Sequence, residues 1–332
     1  MTALPDSMIA IEISTPGGPE VLTAVSRPIP QPGMGEVLIQ VAAAGINRPD
    51  LLQRQGFYPA PPGASDLPGL EIAGRVVAQG FGAHGFAIGD EVCALVSGGG
   101  YAQYATAPAV QCLPIPKGLT PIEGASLPET FFTVYTNLID RARFKFGDIV
   151  LIHGGTSGIG VTAIQMAHAL GGKVFATAGS FDKAHACESL GAVHGINYRL
   201  EDFVEQVKTL THGHGADIIL DMVGGDYVQR NITCAAVEGR IVNIAFLHGA
   251  RVEIDLNQVM RKRLVLTGST LRPRSVPEKG AIAHELRRRI WPLIESGKIK
   301  PVVYRTFPLA EAADAHRLME SSTHIGKIVL TV

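Results

Sequence analysis

The segment that most constrains what this chain can fold into runs from Ile149 to Leu170. Ile149-Val150-Leu151-Ile152 is a continuous apolar run of strand length, and Ile159, Ala163, Met166, Ala167 and Leu170 recur at helical spacing. Between them lies His153-Gly154-Gly155-Thr156-Ser157-Gly158-Ile159-Gly160. A glycine-rich turn between a buried strand and a helix aims backbone N–H groups at an anion, and the positive end of the helix adds its attraction. The pattern departs from GxGxxG, because Ser157 stands at the second glycine while Gly155, Gly158 and Gly160 are kept. Glycines alone also suit a tight turn with no ligand. The strand before, the helix after and the alternating β/α texture around them favour a dinucleotide pyrophosphate held by residues Gly155, Thr156, Ser157, Gly158, Ile159 and Gly160.

The next strand, Lys173 to Ala178, ends in Gly179-Ser180, with Lys183 one helical turn on. A site for NAD places an acidic residue near this strand end to bind the ribose 2′-hydroxyl, yet no Asp or Glu occurs from Gly155 to Phe181. A 2′-phosphate would meet small residues and a cation, so NADPH is the expected cofactor. The competing reading makes Lys183 a solvated surface lysine, and the neighbouring Asp182 weighs against a phosphate.

The β/α alternation continues through short strands expected at Asp217 to Asp221, Arg240 to Ala245 and Leu264 to Thr270. Before Thr120 the texture is different. Strand-like runs at Met8 to Ile13, Glu36 to Ala44, Glu71 to Ala78, Glu91 to Val96 and Tyr101 to Pro108 are separated by Gly and Pro clusters, which suggests a β-rich barrel. After the β/α region, Ile282, Leu286, Ile290, Leu293 and Ile294 trace one helix face, Leu309 to Ser321 another, and Ile325 to Val332 closes as a strand.

A chain of 332 residues with 46% hydrophobic content is long enough for two cores. Its formal charge of -1 leaves no basic footprint for nucleic acid, so a small molecule is the expected partner. Two stretches without charge, Val92 to Pro116 and Ile149 to Gly172, are interrupted by Gly, Pro, Gln, Ser or Thr and are not expected to enter a membrane. Cys93, Cys112, Cys187 and Cys234 lie far apart, which fits reduced thiols in a cytoplasmic protein, and the start MTALPDSMIAIEIS does not read as a signal peptide. His212-Gly213-His214 lacks a further ligand at metal spacing and reads as a polar loop.

Along its whole length the chain resembles the medium-chain dehydrogenases/reductases, in their zinc-lacking quinone oxidoreductase, zeta-crystallin-like branch, closest to the tumour-suppressor-inducible type. The resemblance is carried by Gly17-Gly18-Pro19-Glu20, Asn47-Arg48-Pro49-Asp50, Gln53 to Tyr58, Pro62-Gly63-Ala64-Ser65, Gly89-Asp90, Gly98 to Tyr104, Leu151-Ile152-His153-Gly154 and Ile325 to Leu330. It implies an α/β chain with a GroES-like β-rich barrel at residues 1–127, a Rossmann doubly wound parallel-sheet domain at 128–270, a return to the barrel domain at 271–332, and a cleft where the two meet. It places Gly179, Lys183 and Tyr198 at the 2′-phosphate, beside the Ser180 already read at the strand end, Thr133 at the nicotinamide amide, and Ala245, Phe246 and Leu271 on loops lining the nicotinamide pocket. It also implies a homodimer through Leu264 to Thr270.

Where the alcohol dehydrogenases of this superfamily hold catalytic zinc, the same resemblance puts Asn47, Leu70 and Glu129, so no metal is expected. Without a Lewis acid, the accessible acceptors are those that take hydride unaided, quinones first and activated enones second. Tyr58 is the candidate to contact or protonate the acceptor oxygen, and equally a lid-packing aromatic. Asn47 is the second candidate, as a hydrogen-bond donor to acceptor or ribose or as a cap for the helix opening at Pro49. The expected activity is NADPH-dependent quinone reduction; reduction of an enone or alkenal C=C bond and cofactor binding without turnover are the alternatives.

Overall fold

The computed structural model describes residues 4–332. In chain order its strands are β1 Ser7–Ile13, β2 Leu22–Pro28, β3 Glu36–Gly45, β4 Glu71–Gln79, β5 Glu91–Leu95, β6 Tyr104–Pro108, β7 Cys112–Pro114, β8 Ile149–Ile152, β9 Lys173–Ala178, β10 His194–Asn197, β11 Ala216–Asp221, β12 Ala235–Asn243, β13 Val265–Gly268, β14 Val303–Pro308 and β15 Lys327–Thr331. The chain divides into two compact units. The first takes the described residues up to Phe132 together with Leu271–Glu295 and Pro301–Val332; the second takes Thr133–Thr270 and Ser296–Lys300.

The first unit is built on a sheet in the order β14-β15-β3-β4-β5-β7, with β6 also paired to β3. All of these pairings are antiparallel except β14 with β15. Strand β3 is covered on both faces: Val37, Ile39 and Val41 enter the larger core, while Leu38 enters a smaller cluster with Met8, Ala10 and Ile29. That is why β3 reads as a nearly continuous apolar run rather than as a simple alternation. The ribbon β1-β2 closes over the smaller cluster through the Ala10 to Ala102 bridge and the bond from Ile11 N to Tyr101 O at 2.8 Å. The chain thus forms the GroES-like β-rich barrel expected of it.

The second unit is a parallel sheet in the order β10-β9-β8-β11-β12-β13. Leu151, Phe175, Ile219 and Ile241 lie side by side in register on β8, β9, β11 and β12 and share one core. Each such buried side chain contributes about 1.5–3 kcal/mol of transfer free energy. The chain winds outward from β8 to β10, returns to the middle, and winds the other way from β11 to β13. The carboxyl ends of β8 and β11 are therefore a topological switch point, the place where open α/β sheets bind ligands.

Two expectations are corrected. The single helix face from Ile282 to Ile294 belongs to two helices, Val276–Arg289 and Trp291–Glu295. Pro292 disfavours continuation through the residue before it, so the axis breaks at Ile290 while Ile282, Leu286, Ile290 and Ile294 all stay buried. The strand expected at Arg240 to Ala245 begins earlier, at Ala235, and ends at Asn243. No helix of the described residues is long and apolar enough to cross a membrane.

Candidate functional site

In the second unit, β8 passes through His153 to the glycine turn and into the helix Gly158–Ala169. Ser157 is the N-cap of that helix. Its Oγ accepts from Gly160 N at 3.0 Å and donates to Gly154 O at 2.8 Å, so the hydroxyl is engaged within the turn. The N–H groups of Gly158 and Ile159, in the first turn, have no intrahelical acceptor. Glycine is required here for space as well as for approach. A Cβ on Gly155 would stand 2.6 Å from Cys187 Sγ, and one on Gly160 would stand 2.3 Å from Gly154 O. Helix, strand and turn meet too closely for any side chain at those positions.

A buried polar network locks the turn from beneath. Asn231 Nδ2 and Asn243 Nδ2 donate to Asp221 Oδ2 at 3.1 and 3.0 Å, which leaves Asn231 Oδ1 to accept from His153 Nε2 at 2.7 Å. His153 Nδ1 is then the acceptor of Thr177 Oγ1 at 3.1 Å, and Thr177 Oγ1 in turn accepts from Gly154 N at 3.3 Å. This assignment needs a neutral imidazole, and burial holds His153 below its ordinary value. Four strands, β8, β9, β11 and β12, are tied together at their carboxyl ends by these groups. The bonding of these groups to one another is not readable from the sequence, since the partners are 10 to 78 residues apart.

The end of β9 gathers the second set. Ser180 caps the helix Phe181–Ser189, its Oγ accepting from Lys183 N at 3.3 Å. Tyr198 N donates to Ala178 O at 3.1 Å, which brings Tyr198 against Gly179: a Cβ on Gly179 would lie 3.0 Å from Tyr198 Oη and 3.6 Å from Arg199 Nε. Gly179, Ser180, Lys183 and Tyr198 are thus brought together, and Arg199 joins them. Burial and the positive charge of Arg199 hold the Lys183 ammonium below its ordinary value. Two cations and a phenol around a glycine fit a phosphoryl group on a sugar hydroxyl.

The remaining expected contacts are more scattered. Thr133, in the second unit, accepts from Asn137 Nδ2 at 2.8 Å through its carbonyl. Ala245 and Phe246 lie in a loop bonded to the carboxyl end of β11 through Leu247 N to Met222 O and His248 N to Val223 O, and the Phe246 side chain is 48% exposed. Leu271 is buried and belongs to the first unit.

The first unit carries the other candidates. Asn47 caps the helix Arg48–Arg54, with Asp50 Oδ2 accepting from its N–H at 2.8 Å. Its side-chain amide is engaged at both ends: Nδ2 donates to Glu71 Oε1 at 2.8 Å and Oδ1 accepts from Lys327 Nζ at 2.6 Å. Lys327 and Glu71 form a buried ion pair at 2.6 Å. Glu71 Oε2 also accepts from Glu129 N at 2.9 Å. Leu70 is buried and apolar. No group of three His, Cys, Asp or Glu side chains among the described residues is arranged to hold a metal.

Burial pushes the Glu129 carboxyl up to about 8, with further upward pressure from the charges of Glu71 and Asp50. Glu129 is therefore mainly the neutral acid at neutral pH. Asp50 is pushed up to about 6, again by burial first, against the bonds it accepts from Asn47 N and Gly69 N. Tyr58 lies in a loop with the Arg272 guanidinium 5.4 Å from its ring centre, and its carbonyl accepts from Arg272 Nη1 at 3.2 Å. Burial raises the phenol above its ordinary value, Glu129 raises it further, and Arg272 opposes them. A phenol beside a neutral carboxylic acid is equipped to donate a hydrogen bond or a proton.

Residues 33–117 match the family model described as alcohol dehydrogenase GroES-like domain, and residues 190–330 match the one described as zinc-binding dehydrogenase. The chain is 32% identical to a quinone oxidoreductase of Rattus norvegicus over 97% of each protein. The structure of Escherichia coli quinone oxidoreductase complexed with NADPH is 32% identical, with a TM-score of 0.87 over 98% of this chain and 100% of that one. JamJ enoyl reductase, in its apo form, superposes with a TM-score of 0.86 at 29% identity over 98% of this chain and 99% of that one.

Proposed function

From a chain that belongs to the medium-chain dehydrogenase/reductase family and is related along nearly its full length to quinone oxidoreductases, we propose an NADPH-dependent reductase that delivers hydride to small quinones without a metal. The observation that carries this reading is the phosphate pocket: Gly179 flanked by Tyr198 Oη and Arg199, with Lys183 in the field of Arg199 and no acidic residue from Lys173 to Ser180. When bound, NADPH supplies the hydride from its nicotinamide C4. The residues of the chain supply everything else. Gly158 N and Ile159 N at the head of the helix take the pyrophosphate, Ser157 keeps the turn in shape, and Lys183, Arg199 and Tyr198 hold the 2′-phosphate.

On the acceptor side, Tyr58 Oη is the group offered to the substrate oxygen. Asn47 acts as a positioning residue, because its amide already bridges Lys327 and Glu71. Quinone reduction leaves a stabilised hydroquinone anion, which needs little acid assistance. Steady-state assays with 1,4-benzoquinone or a naphthoquinone should show turnover with NADPH at a kcat/KM at least ten-fold above that with NADH; absence of turnover with every quinone and enone sinks the reading. Lys183→Ala should weaken NADPH by about 10- to 100-fold, the worth of a charge-assisted hydrogen bond, and leave NADH nearly unchanged.

A second reading, reduction of an activated C=C bond, is favoured by one observation, the neutral Glu129 beside Tyr58. Hydride addition at the β-carbon leaves an enolate that must take a proton at the α-carbon, and an acid poised near neutrality suits that step. Mass spectrometry of the product from an enone distinguishes the two, since a saturated ketone selects this reading and an unchanged enone beside reduced quinone selects the first.

A further inference from the structure

A cavity of about 510 Å³ opens within the first unit, bounded by the loop 61–67, the turn 96–99, strand β6 and the segment 272–279. Tyr58, Asn47 and Glu129 do not line it. Its volume falls in the range of small-molecule sites. Two buried polar groups on its wall have bonding capacity that the protein leaves unused.

The first is Lys279, 3% exposed, on the helix Val276–Arg289. Its ammonium donates to Ser97 Oγ at 3.0 Å and to Arg272 O at 2.8 Å, both neutral oxygens, and makes no ion pair among the described residues. An ammonium has three protons to donate, so one is left over, and the carboxyls of Glu129 and Glu278 act on its charge only from beyond ion-pair distance. The second is Gln111, 1% exposed. Its Nε2 donates to Leu95 O at 2.8 Å, while Oε1 accepts nothing among the described residues. Such an orphaned buried acceptor is destabilising until a donor reaches it.

Local packing places these two groups on one wall. A Cβ on Gly280 would lie 3.1 Å from Val110 Cβ, so the helix bearing Lys279 rides directly on the turn bearing Gln111. The acids on the wall are occupied: Asp66 pairs with Arg27 at 3.1 Å, and Glu36 Oε2 accepts from Gly33 N at 2.9 Å. Lys279 calls for an anionic oxygen and Gln111 Oε1 calls for a donor. A simple anion answers only the first, and a neutral alcohol only the second.

We propose that this cavity binds a small hydroxycarboxylate, its carboxylate on Lys279 Nζ and its hydroxyl donating to Gln111 Oε1. Arg272 lines the same cavity and holds the carbonyl of Tyr58, so the site adjoins the acceptor loop without being part of it. The proposal does not rest on the identity of the acceptor or of the cofactor.

Isothermal titration of the full chain with mandelate tests it, alongside phenylacetate, which lacks the hydroxyl, benzyl alcohol, which lacks the carboxylate, and inorganic phosphate. Mandelate should bind one site at least ten-fold more tightly than any of the other three, and should do so equally with saturating NADPH present. Gln111→Leu should bring mandelate to the level of phenylacetate, and Lys279→Met should abolish binding. Thermal unfolding identifies a variant that does not fold, in which case the wild-type comparison of the four probes decides. No heat with mandelate, equal binding of phenylacetate or phosphate, displacement by NADPH, or unchanged binding in a folded variant each overturns the site.

Discussion

Lys183 and Arg199 are two like charges that the fold holds near each other, and the Lys183 ammonium is held below its ordinary value by burial first and by the charge of Arg199 second. A dianionic phosphate relieves that repulsion, whereas a ribose hydroxyl does not. Arg199 is exposed, so its share is screened by salt more than that of the partly buried Lys183. Arg199→Ala should therefore cost NADPH several-fold in affinity at low ionic strength, with the loss shrinking as salt is raised, while the loss in Lys183→Ala persists; fluorescence titration at two salt concentrations reads both. Tyr58→Phe addresses the other half of the chemistry. If the phenol serves the acceptor, kcat/KM for an enone should fall about 100-fold or more with KM for NADPH unchanged, and that for a quinone, which needs little acid help, by several-fold. If it only packs, the rate should stay within a factor of two.

Glu129 gives a prediction with a defined sign. Its folded value of about 8 lies above the ordinary 4.5, so the folded chain keeps a proton that the unfolded chain releases. The associated stability is fully present below 4.5 and is lost as pH rises toward 8. Asp50 acts in the same direction but only up to about 6, and His316, pushed down to about 3 by burial, costs stability only as pH falls below its ordinary 6.5. Between pH 6.5 and 8, Glu129 is the one of these three that titrates. Urea unfolding across that window should show wild type losing stability at up to about 1.4 kcal/mol per pH unit, and Glu129→Gln losing far less. Parallel curves would show that Glu129 is ionised in the fold.

At the scale of elements, the strand, turn and helix around His153–Gly160 were legible because every part of the signal is local. Apolar run, glycines and helical period lie within 22 residues, and the structure repeats them in the same order. Gly160→Ala tests the same geometry. Because a Cβ there meets backbone rather than a movable side chain, the variant should lose several kcal/mol or open the turn and abolish dinucleotide binding, as thermal unfolding and NADPH titration would show. Strand β10, by contrast, was missed. It is four residues long and contains Gly195, which is there because a Cβ would stand 2.2 Å from Ala184 O. With β10 went Arg199, whose place beside Gly179 depends on β10 pairing with β9. Lys183 was readable from its spacing to β9. Glu129 enters the sequence reading only as the residue at one position where relatives hold zinc, since its retained proton arises from burial beside Glu71 and Asp50, which no spacing reveals.

For the whole molecule the open question of assembly turns on one edge. Strand β13 pairs with β12 on one side only and ends the parallel sheet, with Val265 48% and Leu266 39% exposed. Its far side presents unpaired backbone donors and acceptors, a template for a second strand. A two-fold axis beside β13 would pair it with its own copy, continue the sheet from one chain into the next and cover both apolar side chains in a closed dimer. Sedimentation at micromolar concentration should then give about twice the 35.1 kDa of one chain. Leu266→Lys places a charge at the centre of that contact and should shift the protein to monomer, with the NADPH affinity of each chain unchanged, because the residues proposed for the 2′-phosphate lie toward the opposite edge on β9 and β10. A wild-type monomer, or a dimer indifferent to Leu266→Lys, would assign the exposed edge a different fate.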